Sequence, residues 1–181
     1  DASTARRFGI GNKDPLPPVG FSSIDQGPPP RSPSGDKPTN VQFASMIDSM
    51  VNFVDDRDLI GLRNYDVTLQ YSLGDTAVYN RAAAPLHFGY SLSLLGDIDG
   101  DGRSVHEIEV TAFDIQGGTL PAGMRLRESP TLPSKGRCER TPQPDGSASV
   151  VSFFDVFTEI SRDNGATWEP VDLPLHFVQQ D

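Results

Sequence analysis

The run Asp97-Ile98-Asp99-Gly100-Asp101-Gly102 sets three carboxylates on alternate residues and a glycine at the sixth position. Three like charges held that close repel one another unless a cation sits among them. Ca2+, which takes six to eight oxygen ligands, is the hard cation that suits such a loop. The expected side-chain ligands are Asp97, Asp99 and Asp101, with Glu107 as a further acid and Arg103 as a carbonyl donor. A solvated acidic hairpin tip is the reading that needs no ion. An ordinary EF-hand does not fit, because its twelfth position, where a bidentate acid belongs, is Ile108. The residues before the loop, Phe88 to Leu95, also alternate as a strand instead of running as a helix.

Catalytic groupings are hard to find. His87, His106 and His176 are dispersed, and the chain has no His-Glu-x-x-His, Gly-x-Ser-x-Gly, phosphate-binding Gly-x-x-x-x-Gly-Lys or Cys-x-x-Cys motif. A glycosidase needs only two facing carboxylates, and Asp155 with Glu159 is the pair whose spacing allows it; a surface acidic ladder explains the same two residues. Cys138, between Arg137 and Arg140, reads as a loop thiol whose basic neighbours would lower its pKa. The expectation is a protein that is not an enzyme.

Composition narrows the partners. A formal net charge of -10 over 181 residues works against a phosphate backbone, so no nucleic-acid partner is expected. No stretch supplies the about 20 consecutive apolar residues of a membrane helix, so no membrane insertion is expected. One cysteine is silent on redox compartment. The opening Asp1 reads as a processed terminus or as an arbitrary boundary, and the first of these points to export.

The elements that must position these residues follow from the patterning. Residues 1–39 hold half of the 16 prolines and only scattered apolar residues, which predicts an extended Pro-rich arm or linker. Residues 40–181 form the predicted domain. It opens with Phe43, Met46, Ile47, Met50, Val51 and Val54 at i, i+3, i+4, i+7, i+8 and i+11, the stripe of one amphipathic helix ending near Val54. Period-two alternation then takes over: Tyr65, Val67, Leu69, Tyr71 and Leu73; Phe88, Tyr90, Leu92 and Leu94; Ile108, Val110 and Ala112; Met124 and Leu126; and the doubly apolar run Val150 to Ile160. Turn-rich breaks at Gly74-Asp75, Gly117-Gly118 and 142–146 separate these runs. The fold class expected is mainly β, a β-sandwich with a barrel as the alternative.

Three resemblances add to this. Phe88-Gly89-Tyr90-Ser91 followed by Gly96 to Gly102 resembles the calcium turn of FG-GAP repeats, here in a single copy. Ser161-Arg162-Asp163-Asn164-Gly165-Ala166-Thr167-Trp168 resembles the Asp-box hairpin of sialidases and other propellers, a device that stabilises a fold and carries no activity with it. In it Asn164-Gly165 accommodates positive φ, Asp163 and Thr167 tie the turn, and Trp168 serves as a core anchor or, if exposed, as a platform for a sugar ring. Across the last third, Met124 to Leu132, Gly136-Arg137 and Ser152 to Ser161 are similar to secreted bacterial proteins of the Pro-Glu-Pro sorting-signal type. That resemblance implies a secreted or cell-surface protein and supplies no site residues.

Together these features predict a non-catalytic, calcium-stabilised structural protein of the cell exterior that associates through its arm or an edge strand, as a homo-oligomer or with another cell-surface protein. The alternatives are a calcium-dependent carbohydrate-binding module using Tyr90 or Trp168, and a glycoside hydrolase.

Overall fold

The computed structural model describes residues 23–24, 27–55, 58–98 and 102–180. The regular elements among them are β-strands: β1 (Ser23–Ile24), β2 (Lys37–Phe53), β3 (Asp58–Ser72), β4 (Asn80–Ile98), β5 (Arg103–Gln116), β6 (Arg125–Glu128), β7 (Ser134–Pro142), β8 (Ala148–Val156), β9 (Thr158–Ser161), β10 (Glu169–Pro170) and β11 (Leu175–Gln180). They join in one antiparallel sheet in the order β1-β11-β8-β7-β5-β4-β3-β2, and a branch formed by β6, β9 and β10 leaves β5 at its far end. The chain is therefore mainly β. Among the described residues no helix is long and apolar enough to cross a membrane.

The alternating runs became the central strands. Tyr65, Val67, Leu69 and Tyr71 of β3 and Phe88, Tyr90 and Leu92 of β4 are buried, and Tyr65 and Val67 sit opposite Leu86 and Ala84 on one face. In β5 the alternation expected through Ile108, Val110 and Ala112 breaks after Val110. A register shift carries the buried positions on to Phe113 and Ile115 and leaves Ala112 half-buried. The sheet coils until its two ends face one another. Phe43 of β2 lies 5.7 Å from Phe177 of β11, Phe88 lies 5.7 Å from Phe154, and Phe113 lies 5.9 Å from Phe177 (ring centroids). These opposed aromatic contacts, each worth about 0.5–1.5 kcal/mol beyond the area they bury, make one core from both halves of the sheet, an arrangement consistent with a sandwich.

The helix expected from residue 40 to Val54 is not formed; the segment is β2, paired with β3 over its whole length. Register shifts between Pro38 and Asn40, Phe43 and Ser45, and Met46 and Asp48 each insert a residue into the two-residue alternation. Apolar residues spaced by three, such as Phe43 and Met46, are what a bulged strand and a helix have in common. Only Val41 and Phe43 of this run enter the core fully.

The Pro-rich arm expected over residues 1–39 also needs redrawing. Residues 1–22 lie outside the described residues, whereas residues 31–36 are built into the domain and β2 already begins at Lys37. Arg31 and Asp172 exchange backbone and side-chain hydrogen bonds, and the Ser34 amide and hydroxyl donate to Glu169 at 2.9 and 2.7 Å. The buried Asp36 carboxylate accepts from the Gly74 amide at 2.8 Å and pairs with Arg162 at 3.3 Å. Gly35, at φ +85°, is required here, since a Cβ would fall 2.5 Å from that of Asp75.

Candidate functional site

The expected calcium ligands are distributed unevenly. β4 and β5 pair up to the tip, with Asp97 opposite Ser104 and Ile98 opposite Arg103, while Asp99 and Asp101 lie outside the described residues. The Arg103 side chain reaches the Glu139 carboxylate at 2.5 Å, and Glu139 also pairs with Arg137 at 3.5 Å. Glu107 lies four positions along β5 from Arg103, about 13 Å at strand rise, and pairs with Lys135 at 3.6 Å. Glu107 is thus placed on the flank of the strand and not with Arg103. Among the described residues no group of three metal-ligating side chains is gathered.

The turn from Ser161 to Trp168 is tied by its own side chains. The Asp163 carboxylate accepts from the Thr167 hydroxyl, the Thr167 amide at 2.8 Å and the Ser161 hydroxyl at 2.8 Å. Those bonds, led by Thr167, hold Asp163 down at about 2, well below the usual carboxylate range. Asn164 and Gly165 take φ of 60° and 87°, the left-handed conformation a tight turn needs. Trp168 donates its indole N–H to the Gly165 carbonyl at 3.1 Å. It is only half-buried, outside the main core, and one ring face is taken by the Arg127 guanidinium at 4.1 Å. The ring is held by arginine instead of serving as a core anchor.

The other chemical residues are each engaged elsewhere. A break at Phe157 separates Asp155 from Glu159; the first pairs with His176 at 2.5 Å and the second with Arg127 at 2.6 Å. Tyr90, proposed for sugar stacking, is 2% exposed and faces inward. Cys138 is no loop thiol but a β7 core residue, 1% exposed, and burial together with the neighbouring Glu139 pushes its pKa up to about 12. It sits opposite His106 on β5 and Ser152 on β8, a row of three buried polar side chains that only the register brings together.

β2 carries the longest exposed run of any strand among the described residues. Within the described sheet β2 is a terminal strand paired with β3. Beyond Phe43, Ala44 through Met50 are all exposed, including Met46 (46%), Ile47 (59%) and Met50 (53%), before Val51 packs against the core again. From Pro38 to Phe53 the only ionisable residue is Asp48, whose carboxylate accepts from the Asn64 amide at 2.6 Å. Natural edge strands are protected by Lys, Pro or bulges; from Asp48 to Phe53 the register is continuous and none of these devices is present. The helical periodicity concealed this edge in the sequence. Its one visible signal was the near absence of charge across the supposed outer face of the helix. No family model matches the chain, and neither the curated proteins nor the solved structures contain a match.

Proposed function

We propose that this chain is a non-catalytic structural module that works outside the cell and assembles through an edge strand, the exposed part of β2. The observation that carries the reading is the run Ala44 to Met50, exposed on the terminal strand of the described sheet and carrying one charge in an otherwise acidic protein. Unpaired backbone groups and apolar side chains on one edge are what β-augmentation uses, with main-chain hydrogen bonds giving affinity and alternate side chains giving selectivity. The opposed contacts of Phe43 with Phe177 and of Phe88 with Phe154 support reading the coiled sheet as a β-sandwich, a common scaffold for such surfaces.

Calcium belongs to the same proposal. The pairing of Asp97 with Ser104 and of Ile98 with Arg103 sets the two ends of the turn side by side, which supports assigning Asp97, Asp99, Asp101 and the Arg103 carbonyl to one cation. Bound there, the ion would neutralise the loop and lock the hairpin.

Sedimentation velocity with paired thermal melts on the full chain, in calcium and in chelator, tests both halves. Self-association at micromolar concentration together with a calcium-dependent rise in Tm is the expected result. A chain that stays monomeric and fails to bind itself at any concentration overturns the assembly reading, and a Tm indifferent to calcium overturns the metal.

A further inference from the structure

We infer that the outer face of β5, β7 and β8 carries a binding site for a neutral sugar, with the Phe153 ring as the platform and Glu107, Lys135 and Arg137 as the groups that read the hydroxyls. This site is independent of the assembly reading and of the cation loop.

The register builds the site. Glu107 on β5 stands opposite Arg137 on β7, and Arg137 stands opposite Phe153 on β8. The next row, Ile108, Gly136 and Phe154, turns its two side chains into the core, so Glu107, Arg137 and Phe153 point outward, and Lys135, two residues from Arg137, shares their face. The register shift between Leu94 and Gly96 adds Leu95 as a second apolar wall, 52% exposed. Together with the Gly136 backbone these side chains line a shallow depression of about 320 Å³. That lies at the small end of the range for ligand sites. From Glu107 to Phe153 is two strand spacings, about 10 Å, wide enough for one pyranose ring.

The polar groups there are positioned but unused. Lys135 lies 3.6 Å from Glu107 and the Arg137 Nε lies 3.5 Å from Glu139, contacts too long to be good hydrogen bonds. Among the described residues no side-chain hydrogen bond is made by Glu107, Lys135 or Arg137. The neighbouring charged pairs of the same strands, Arg103 with Glu139 and Asp155 with His176, close to 2.5 Å. Phe153, 42% exposed, has His176 as its ring neighbour at 6.4 Å, while the arginine–ring contacts of the described residues fall on Tyr90 and Trp168. Glu107, which the sequence offers to a cation, and the sugar platform, which it offers at Tyr90 or Trp168, thus meet here in a different combination.

The mixture of groups selects the ligand. A carboxylate that only accepts beside two cations that only donate suits a group able to do both, which is a hydroxyl. A pyranose with equatorial hydroxyls joins such an edge to an apolar face of axial C–H bonds, the face that lies on an aromatic ring. An acidic ligand would satisfy Lys135 and Arg137 but confront Glu107, and a basic one the reverse. The two cations already lie against Glu107 and Glu139, so the depression gives an anion no net attraction, and a net charge of -10 repels a polyanion.

Isothermal titration of the full chain with cellohexaose, xylohexaose and hexagalacturonate tests the inference, using wild type, Phe153→Ala, Glu107→Ala and Tyr79→Ala. Wild type is expected to bind at least one neutral chain with a Kd of about 0.1–1 mM. Phe153→Ala and Glu107→Ala should each weaken that binding about tenfold or more. Tyr79→Ala, which removes an exposed ring in the loop between β3 and β4, should leave it unchanged. Amide NMR shifts of wild type during the same titrations should centre on residues 107, 135–137 and 153, and this readout decides alone if a variant fails to fold. That pattern supports the inference. No response to either neutral chain at millimolar concentration overturns it, as does binding that survives Phe153→Ala or shifts that centre elsewhere. Preference for hexagalacturonate over both neutral chains overturns the neutral sugar and makes the depression an anion site.

Discussion

The Tyr90 ring lies directly over Gly61: the two residues face each other across β4 and β3, and a Cβ built on Gly61 would fall 2.0 Å from the ring's Cζ. The glycine leaves a slot in the inner face that the aromatic fills, and the Arg63 guanidinium lies 5.8 Å from the same ring while donating to the Tyr65 hydroxyl at 2.9 Å. Gly61→Ala therefore has nowhere to place its methyl without moving Tyr90. The expected loss is about 1–3 kcal/mol, the usual range for overpacking a filled core. Equilibrium denaturation measures it. A variant as stable as wild type would show that the ring is free to move, and adding Tyr90→Leu should recover part of the loss if the clash is its cause.

Asp163 has a folded pKa of about 2 against an ordinary 3.8, set by the Thr167 side-chain and backbone bonds and then by Ser161. A depressed carboxylate stabilises the fold at pH above its unfolded value, and that contribution is lost as pH falls toward 2. The carboxylate is solvent-exposed, so the effect is a modest one on the turn. Melts of wild type and Asp163→Asn from pH 2 to 5 should differ most at pH 5 and converge toward pH 2. A constant gap at all pH values would mean that the charge is immaterial and only the turn geometry matters.

How much of this was legible beforehand varies with the residues. The side chains that tie the turn at Asp163 were readable because every partner lies within a few positions in sequence, and so was the burial of Tyr65 to Tyr71 and Phe88 to Leu92, where alternation is uninterrupted. The β2 segment was not, because three register shifts mimic helical spacing. Residues 31–36 were assigned to the arm because prolines flank them, while their partners Gly74, Glu169 and Asp172 lie about 40 to 140 positions away. Cys138 was misjudged for the same kind of reason: its adjacent Arg137 points to the opposite face of the strand, and its actual surroundings come from His106 on β5 and Ser152 on β8.

Glu128 titrates in the opposite direction to Asp163. It sits where β5 exchanges β7 for β6 as its partner. Burial raises its pKa from 4.5 to about 7, with Glu109 and Asp114 adding to the rise and a hydrogen bond from Ser134 opposing it. Between those values the folded chain holds a proton that the unfolded chain releases, so stability falls as pH climbs from 4.5 through 7. The group keeps substantial solvent contact, which screens the effect. Glu128→Gln should flatten the decline in Tm between pH 5 and 8 and exceed wild type at pH 8. An unchanged slope in the variant would place the pH dependence elsewhere.

Cys138 offers the last test, one of access and ionisation together. Its thiol packs within the core cluster, and its pKa is pushed up to about 12, so at pH 8 the nucleophilic thiolate is both scarce and shielded. Iodoacetamide should leave the native chain unmodified and alkylate it fully in denaturant. Since reaction then requires the strands around β7 to separate, the slow native-state rate at rising denaturant should follow the fraction unfolded read by circular dichroism. Fast alkylation of the native chain would instead mean that β7 opens locally, exposing the row of His106, Cys138 and Ser152 without unfolding the sheet, and the interior of this part of the fold would have to be regarded as accessible to ligands.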